Sequence, residues 1–339
     1  MGSYQRRRFL VATGALLAVG AGARCVGAIA QPLQAARPRR IVLSIAWTEE
    51  IRQAWIDLLS GLGWAYERDY LLFDSGLPYG PEIDKAAKRI LEQKPDLIIA
   101  LSSSYALALH RLTRTTPIVM LTSGYPVAAG LAHSLARPGM NITGNSAYAG
   151  TGVWGKLFQL LQEAKSGVRR VGLLWDYLPP TFLHEEIEFG MQQLRADARS
   201  LGVETEFAEV RRPEEALAGL NALVSKGVHA LVVSRGPVLF PQFARMMELA
   251  TAAGLPTITD IAVPESIATE PLLAYGPDWS ELWRQTAAYV DRIFRGAAPG
   301  DLPIQHPARF QLVVSTKTAK ALGLALPPSL LLRADRVIE

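Results

Sequence analysis

The chain has 339 residues, of which 49% are hydrophobic and 19% are charged, and this composition excludes an intrinsically disordered protein. Of its 35 basic residues, Arg6, Arg7, Arg8 and Arg24 lie in the first 30 positions, which hold no acid, so the rest carries 31 basic against 31 acidic residues. This neutral body gives no electrostatic support for nucleic-acid binding, and the only cysteine, Cys25, lies outside it.

The first 30 residues have the features of an export signal. Three arginines at 6–8 precede an apolar run at 11–23, and Ala28-Ile29-Ala30 provides an A-x-A cleavage motif, with a twin-arginine character. A membrane anchor is the alternative, but the run is short and rich in Gly and Ala. Lipoprotein processing at Cys25 is disfavoured by Arg24. We predict a signal peptide over 1–30, cleavage near Ala30 and a periplasmic protein.

Short apolar strands alternate with amphipathic helices in the first half of the body. The strands are predicted at 41–47, 65–73, 97–101 and 117–121. A helix begins after Thr48, a second follows Pro78-Tyr79-Gly80-Pro81, and a third is predicted at 105–113. Continuously apolar strands of this length are typical of a parallel sheet that helices cover on both faces.

The second half repeats this alternation. Strands are predicted at 171–175, 230–233 and 256–260, followed by an extended segment at 272–278, a helix at 279–296, an extended crossing at 302–315 and a helix at 316–324. The fold class is therefore α/β, with two Rossmann-like lobes. The chain is expected to cross between them at about 141–150, 271–278 and 303–315, as a hinge. The lobes would comprise 38–144 plus 276–305, and 145–275 plus 306–339.

Polar and aromatic residues follow the predicted strands in both halves. Because ligands bind at the carboxyl ends of the strands in such sheets, these residues are the candidate ligand site. In the first lobe they are Trp47, Thr48, Ser102, Ser103, Ser104, Thr122, Ser123 and Tyr125. In the second lobe they are Trp175, Asp176, Tyr177, Ser234, Arg235 and Asp260.

Each group of candidates has a chemical role and a plainer alternative. The serines at 102–104 combine hydroxyls with a helix N-terminus, which suits a carboxylate, although helix capping also explains one of them. Thr122 and Ser123 offer the same donors or a simple turn. Asp176 or Asp260 could bind an ammonium group and Arg235 a carboxylate, or these three charges could form ion pairs and caps. Together they predict an amino-acid-like zwitterion as the ligand.

Four aromatic candidates could clamp an apolar or aromatic ligand. Trp47 and Tyr125 would act from the first lobe, and Trp175 and Tyr177 from the second. Each alone is more typical of a core or rim position. As a group on equivalent loops, they favour a flat cleft lined by apolar surface.

The sequence gives little support for an enzyme. The five histidines, at 110, 133, 184, 229 and 306, have no metal-ligand spacing, and His110 and His184 fall in predicted helices where we expect surface or capping roles. Gly144–Tyr148 begins like a nucleophile elbow but lacks its closing glycine. Neither a P-loop nor a complete GxGxxG motif is present. We therefore predict no catalysis, no metal and no cofactor.

Three long segments carry a family resemblance. LAHSLARPGMNITG at 131–144, LLAYGPD at 272–278 and PARFQLVVSTKTAKALGLALPPSLLLRADRVIE at 307–339 resemble the substrate-binding proteins of ABC transporters. The resemblance implies a type I periplasmic-binding-protein fold, a small-molecule ligand, and permease and ATPase partners. Lobe faces exposed for a permease would suit a monomer. Some members of the family are similar to binders of aromatic amino acids.

The chain departs from that family in two places. Tyr125 stands where the family commonly has the acid of a Gly-Asp-Pro turn, and Glu270-Pro271-Leu272 replaces a usual Gly-Gly-Leu. The resulting interpretation is an exported receptor for an amino acid or an aromatic or apolar carboxylate, which it delivers to a permease. The alternative is a periplasmic sensor subunit that presents the same closed form to a signalling receptor.

Overall fold

The computed structural model describes residues 37–147, 152–176, 180–260 and 271–339, with no side-chain detail for 180–187. The predicted signal peptide and Tyr177 lie outside these residues. From Pro38 onward the chain forms one compact unit.

Within the described residues, five parallel strands form the first sheet, in the order β2-β1-β3-β4-β5. They are β1 (Arg39–Leu43), β2 (Tyr70–Asp74), β3 (Leu97–Ala100), β4 (Ile118–Met120) and β5 (Ile142–Gly144). The first strand is shorter than the predicted 41–47. The Ser44 hydroxyl accepts a hydrogen bond from Leu101 N at 2.9 Å, and Ala46 N then turns away to donate to Leu77 O. Trp47 therefore lies in a loop beyond the strand.

Helices cover both faces of this sheet. They are α1 (Glu49–Ser60), α2 (Ile83–Glu92), α3 (Ser103–Leu112) and the distant α8 (Trp279–Phe294). The α1 helix begins where predicted, because Thr48 accepts a hydrogen bond from Ile51 N and two glutamates occupy the first turn. Buried Trp55 and Leu59 of α1 pack in the same core as Leu282 and Val290 of α8. The helices α2 and α3 pack in a separate core on the other face.

The second sheet has seven strands in the described ranges, ordered β12-β11-β10-β9-β8-β6-β7. They are β6 (Arg170–Asp176), β7 (Glu204–Val210), β8 (Ala230–Val233), β9 (Thr257–Thr259), β10 (Leu273–Pro277), β11 (Phe310–Ser315) and β12 (Arg336–Ile338). Only the β10–β11 pair among these is antiparallel. The flanking helices are α4 (Val153–Ala164), α5 (Pro180–Ser200), α6 (Ala216–Ser225), α7 (Phe243–Ala252), α9 (Thr316–Ala321) and α10 (Pro328–Arg333). None of the helices in the described part is long and apolar enough to cross a membrane.

Connections between the sheets are tied together by hydrogen bonds. After β5, Asn145 is fully buried, and its Nδ2 lies 3.1 Å from Leu121 O and 3.0 Å from Thr286 Oγ1. The next residue, Ser146, donates its backbone N–H to Gln305 O in the returning segment. Of the crossing predicted at 302–315, only Phe310–Ser315 forms a strand. The lobe boundaries at 144/145, 275/276 and 305/306 stay a prediction.

One histidine expectation was wrong. His110 is 4% exposed, and its Nδ1 lies 2.9 Å from Asn141 Oδ1. The amide of Asn141 in turn donates to Thr116 O at 2.7 Å. Burial lowers the pKa of His110, which favours the neutral ring. This side of α3 faces the connection into β5, so His110 joins the helix to that strand and does not face solvent.

Candidate ligand-binding cleft

Aromatic rings from the two lobes meet across a cleft. Tyr79, in the loop after β2, lies edge-on to Phe240, just before α7, with ring centroids 5.4 Å apart. Tyr125, after β4, lies edge-on to Phe189 of α5 at 4.9 Å. These contacts join loops of the first sheet to the second lobe. The two lobes therefore contact each other across the cleft in this structure, and we refer to this arrangement as the closed form.

On the first-lobe side, the serines after β3 have different environments. The predicted helix 105–113 begins two residues earlier, so Ser103 and Ser104 lie in the first turn of α3 and Ser102 is its N-cap. Ser103 Oγ lies 2.9 Å from Ser123 Oγ and accepts a hydrogen bond from Gly124 N at 3.1 Å. This pair joins the two loops to each other. Ser103 and Ser123 thus have a structural role in this form.

Ser102 differs from its neighbours because its side chain does not cap the helix. Its backbone is extended, with φ −146° and ψ 169°, and no capping hydrogen bond forms. Within the described residues its buried hydroxyl oxygen has no hydrogen-bond partner. The first-turn N–H groups of α3 lack intrahelical acceptors, as in any helix. Ser102 and this helix end therefore present donors at the cleft, and half-buried Thr122 lies at the end of the next strand.

On the second-lobe side, Asp176 ends β6 and orders the loop after β8. Its Oδ2 accepts a hydrogen bond from Val238 N at 2.7 Å and its Oδ1 accepts one from Leu239 N at 3.1 Å. A Cβ at Gly236 would come within 2.2 Å of Oδ2, so this turn requires glycine. Burial raises the pKa of Asp176 to about 7, the two backbone donors oppose this, and the charge of Asp260 adds to it.

Arg235 is a buried cation at the end of β8. It is 6% exposed, and its Cζ lies 4.5 Å from the ring centre of Phe243 and 5.6 Å from that of Phe240. Burial lowers its pKa to about 10, whereas Asp260 and Tyr79 act in the opposite direction. A buried cation is costly unless an opposite charge lies nearby, so this position favours an anionic group, a role open to Asp260 and to a ligand carboxylate.

Tyr79 is a cleft residue that the sequence interpretation missed. Its ring stacks on Tyr105 with centroids 6.0 Å apart and 26° between the planes. Burial, followed by the charge of Asp176, raises the pKa of its phenol. The available signal was the Pro78-Tyr79-Gly80-Pro81 loop, since it follows β2 at the same sheet edge as Ser102.

The predicted aromatic clamp is only partly assembled in this form. Trp175 packs on Trp154 of α4 at 5.4 Å, and Trp154 Nε1 lies 3.4 Å from the hydroxyl of Tyr125. Trp47 instead packs against the core that contains α1 and α8. Exposed Thr48 caps α1, and Ser234 and Asp260 lie at the ends of β8 and β9. Ligand contact by each of these residues stays a prediction.

The position of Tyr125 between the lobes leads to a first testable expectation. Tyr125→Ala should favour the open form, because it removes a ring contact of about 1 kcal/mol across the cleft. Small-angle scattering of the ligand-free protein should then give a larger radius of gyration than wild type. Tyr125→Phe keeps the ring and loses the 3.4 Å contact of its hydroxyl with Trp154 Nε1, so its radius should be closer to that of wild type than to that of Tyr125→Ala. Equal radii for wild type and Tyr125→Ala would contradict a closing role for this ring.

Comparisons with known proteins agree with this architecture. A family model described as "ABC transporter substrate binding protein" matches residues 67–338. The tyrosine-binding protein of Clostridioides difficile strain R20291 is 23% identical over 244 residues, which are 72% of this chain and 68% of that protein. Two solved structures each have a TM-score of 0.77. They are a conserved domain protein from Vibrio cholerae (23% identity, covering 88% of this chain and 99% of that one) and an ABC domain in complex with L-Trp from Streptococcus pneumonia (20% identity, covering 89% and 100%). These likenesses confirm the predicted two-lobed α/β fold.

Proposed function

Because the chain belongs to the ABC transporter substrate-binding protein family, we propose that it is the exported receptor of an ABC importer and that its ligand is an amino acid with an aromatic side chain. The observation that carries the ligand class is the buried guanidinium of Arg235. It is buried beside the cleft, the charge of Asp260 acts on it, and Asp260 in turn acts on Asp176. Such a site holds groups of both signs, as a zwitterion requires.

Each part of the ligand has a counterpart in the cleft. Arg235 and the α3 N-terminus would bind the carboxylate, and Asp176 or Asp260 would bind the ammonium group. Rings of Tyr79 and Phe240 would face the side chain. The names of two similar proteins, a tyrosine-binding protein and a complex with L-Trp, support the aromatic choice.

Closure would connect binding to transport. Ligand contacts from both lobes stabilise the closed form, and a permease that recognises this form would accept only loaded receptor. Export rests on the arginine-rich leader before residue 30. The partners in this proposal are a permease and an ATPase.

A thermal-unfolding series on residues 31–339 tests the ligand class. L-Tyrosine and L-tryptophan at 100 times their dissociation constants should each stabilise the folded protein by about 2.7 kcal/mol. Asp260→Asn should weaken this binding about tenfold or more, because it removes a charge that would face the ammonium group. The Ser103→Ala, Asp260→Ala double variant should also bind more weakly. Unchanged affinity in both variants would exclude the zwitterion arrangement.

Matched controls separate ligand contact from general damage. Glu248→Gln changes an exposed acid on α7 that pairs with Arg245, and it should leave affinity unchanged. Indole-3-propionate lacks the ammonium group, so Asp260→Asn should bind it no more weakly than wild type does. Stabilisation by sugars but by no amino acid would contradict the proposed ligand class.

A further inference from the structure

Three donor groups converge on the cleft from separate parts of the chain. Ser102 is the N-cap of α3, Tyr79 belongs to the loop after β2, and Arg235 ends β8 in the other lobe. The ring of Phe240 contacts Tyr79 and Arg235. The ring centroids of Phe240 and Tyr79 are 5.4 Å apart, and Arg235 Cζ lies 5.6 Å from the ring centroid of Phe240. The Ser102 hydroxyl lies beside the phenol of Tyr79. All three polar groups therefore occupy one region between the lobes.

Two of these groups favour an anion in this region. Arg235 is 6% exposed, its guanidinium packs against the rings of Phe240 and Phe243, and the charge of Asp260 acts on it. The buried hydroxyl oxygen of Ser102 has no hydrogen-bond partner within the described residues. Asp176 already accepts two backbone hydrogen bonds with its two oxygens. A buried cation beside a buried hydroxyl without a partner is expected where a ligand supplies the acceptor.

We infer that Tyr79, Ser102 and Arg235 form one seat for the ligand's carboxylate, and that Tyr79 is a specificity-determining residue of the receptor. This inference rests on the proposed function and deepens it. A carboxylate has two oxygens and about four acceptor positions, which suits a planar guanidinium together with two hydroxyls. A neutral amide would place an NH₂ group against these donors, and an amine would leave all of them unsatisfied.

The seat also explains how binding favours closure. Ser102 and Tyr79 belong to the first lobe and Arg235 to the second, so a carboxylate between them touches both lobes at once. In the open form the ligand would meet only one side of the seat. The full set of hydrogen bonds then exists only in the closed form, and this difference is what shifts the equilibrium.

The phenol of Tyr79 can be tested separately from its ring. Tyr79→Phe keeps the stacking on Tyr105 and the edge-on contact with Phe240 but removes the donor. It should weaken L-tryptophan binding about tenfold in calorimetry, as expected for one hydrogen bond to a charged group. Ser102→Ala should have a similar effect. Tyr275→Phe is the matched control, since that half-buried tyrosine packs on Phe310 in the second sheet, and it should bind as wild type does.

Ligand analogues test the carboxylate directly. Tryptamine lacks the carboxylate and L-tryptophanamide neutralises it, so wild type should bind both at least 100-fold more weakly than L-tryptophan. Indole-3-propionate keeps the carboxylate, and its affinity should fall about tenfold in Tyr79→Phe, as L-tryptophan does. Arg235→Lys keeps a positive charge but not the planar fork, and it should bind both carboxylates more weakly than wild type.

The outcomes separate this inference from the proposed function. If wild type binds L-tryptophan but Tyr79→Phe and Ser102→Ala retain full affinity, the seat is wrong and the receptor remains. Equal binding of tryptamine and L-tryptophan would also overturn the seat alone. If wild type binds no amino acid and no carboxylate, both the seat and the proposed ligand class fail.

Discussion

Gly144→Ala should prevent stable folding or lower the free energy of unfolding by more than about 4 kcal/mol. Gly144 ends β5 with a φ of +132°, and a Cβ there would lie 2.2 Å from Met120 O and 2.5 Å from Met120 N. Both contacts are with the backbone of β4, which pairs directly with this residue. The clash cannot be relieved by a side-chain movement, so either the β4–β5 pairing or the start of the crossing segment must be displaced.

The crossing segment makes this position more sensitive than an ordinary strand end. Asn145 N donates to Met120 O at 3.0 Å, and Gln305 N donates to Gly144 O at the same distance. A displaced Gly144 would therefore disturb the Asn145–Met120 hydrogen bond, where the crossing after β5 begins. It would also disturb the Gln305–Gly144 hydrogen bond, which joins this crossing to the returning segment. Buried backbone groups that lose such partners are costly to leave unsatisfied.

Gly254→Ala is the matched control for Gly144→Ala. Gly254 also has a positive φ, +71°, but nothing lies within 4 Å of a Cβ at that position. Its replacement should cost only about 1 kcal/mol of left-handed strain. Urea unfolding followed by circular dichroism measures both variants. If the two glycines differ by less than 1 kcal/mol, the backbone clash at Gly144 does not control the crossing.

The architecture could be predicted from the sequence because it depends on local periodicity. The apolar run Ala230–Val233 forms a strand with the predicted ends. The helix predicted at 279–296 is present as Trp279–Phe294, with Asp278 as its cap. Strand ends were harder to predict. The first strand was predicted to reach Trp47, but it ends at Leu43, and the next residue, Ser44, accepts the hydrogen bond of Leu101 N with its side chain.

The cleft was harder to predict because it depends on contacts between distant loops. Sequence position placed Ser102 and Arg235 at strand ends, but it could not show that Ser103 would bond to Ser123 or that Arg235 would be buried on Phe243. Tyr79 gives the clearest case. Its loop resembles a simple Pro/Gly turn, and its ring lies against Phe240, which is 161 positions away in the sequence and belongs to the other lobe. Local sequence patterns carry no information about such a contact.

The contribution of Asp176 to the stability of the protein should fall as pH rises from about 4 to about 7. The pKa of this buried carboxyl is raised to about 7 in the folded protein, against about 3.9 when unfolded. Between these values the folded state keeps a proton that the unfolded state has released, so raising the pH favours unfolding. The free energy of unfolding falls by about 4 kcal/mol in total through this group, and the loss is complete above pH 7.

Asp176→Asn isolates this effect. The amide oxygen can still accept from Val238 N or Leu239 N, but the NH₂ group opposes the other donor. The variant therefore loses one hydrogen bond at every pH, and its side chain at position 176 does not titrate. The difference in unfolding free energy between wild type and variant, measured in urea at pH 4.5, 6 and 8, should therefore shrink as pH rises. The other carboxylates contribute equally to both proteins and cancel in this difference. A difference that stays constant would show that Asp176 is ionised throughout this range. It would then be a permanent negative charge at the cleft, and L-tryptophan binding near neutral pH would release no proton from it.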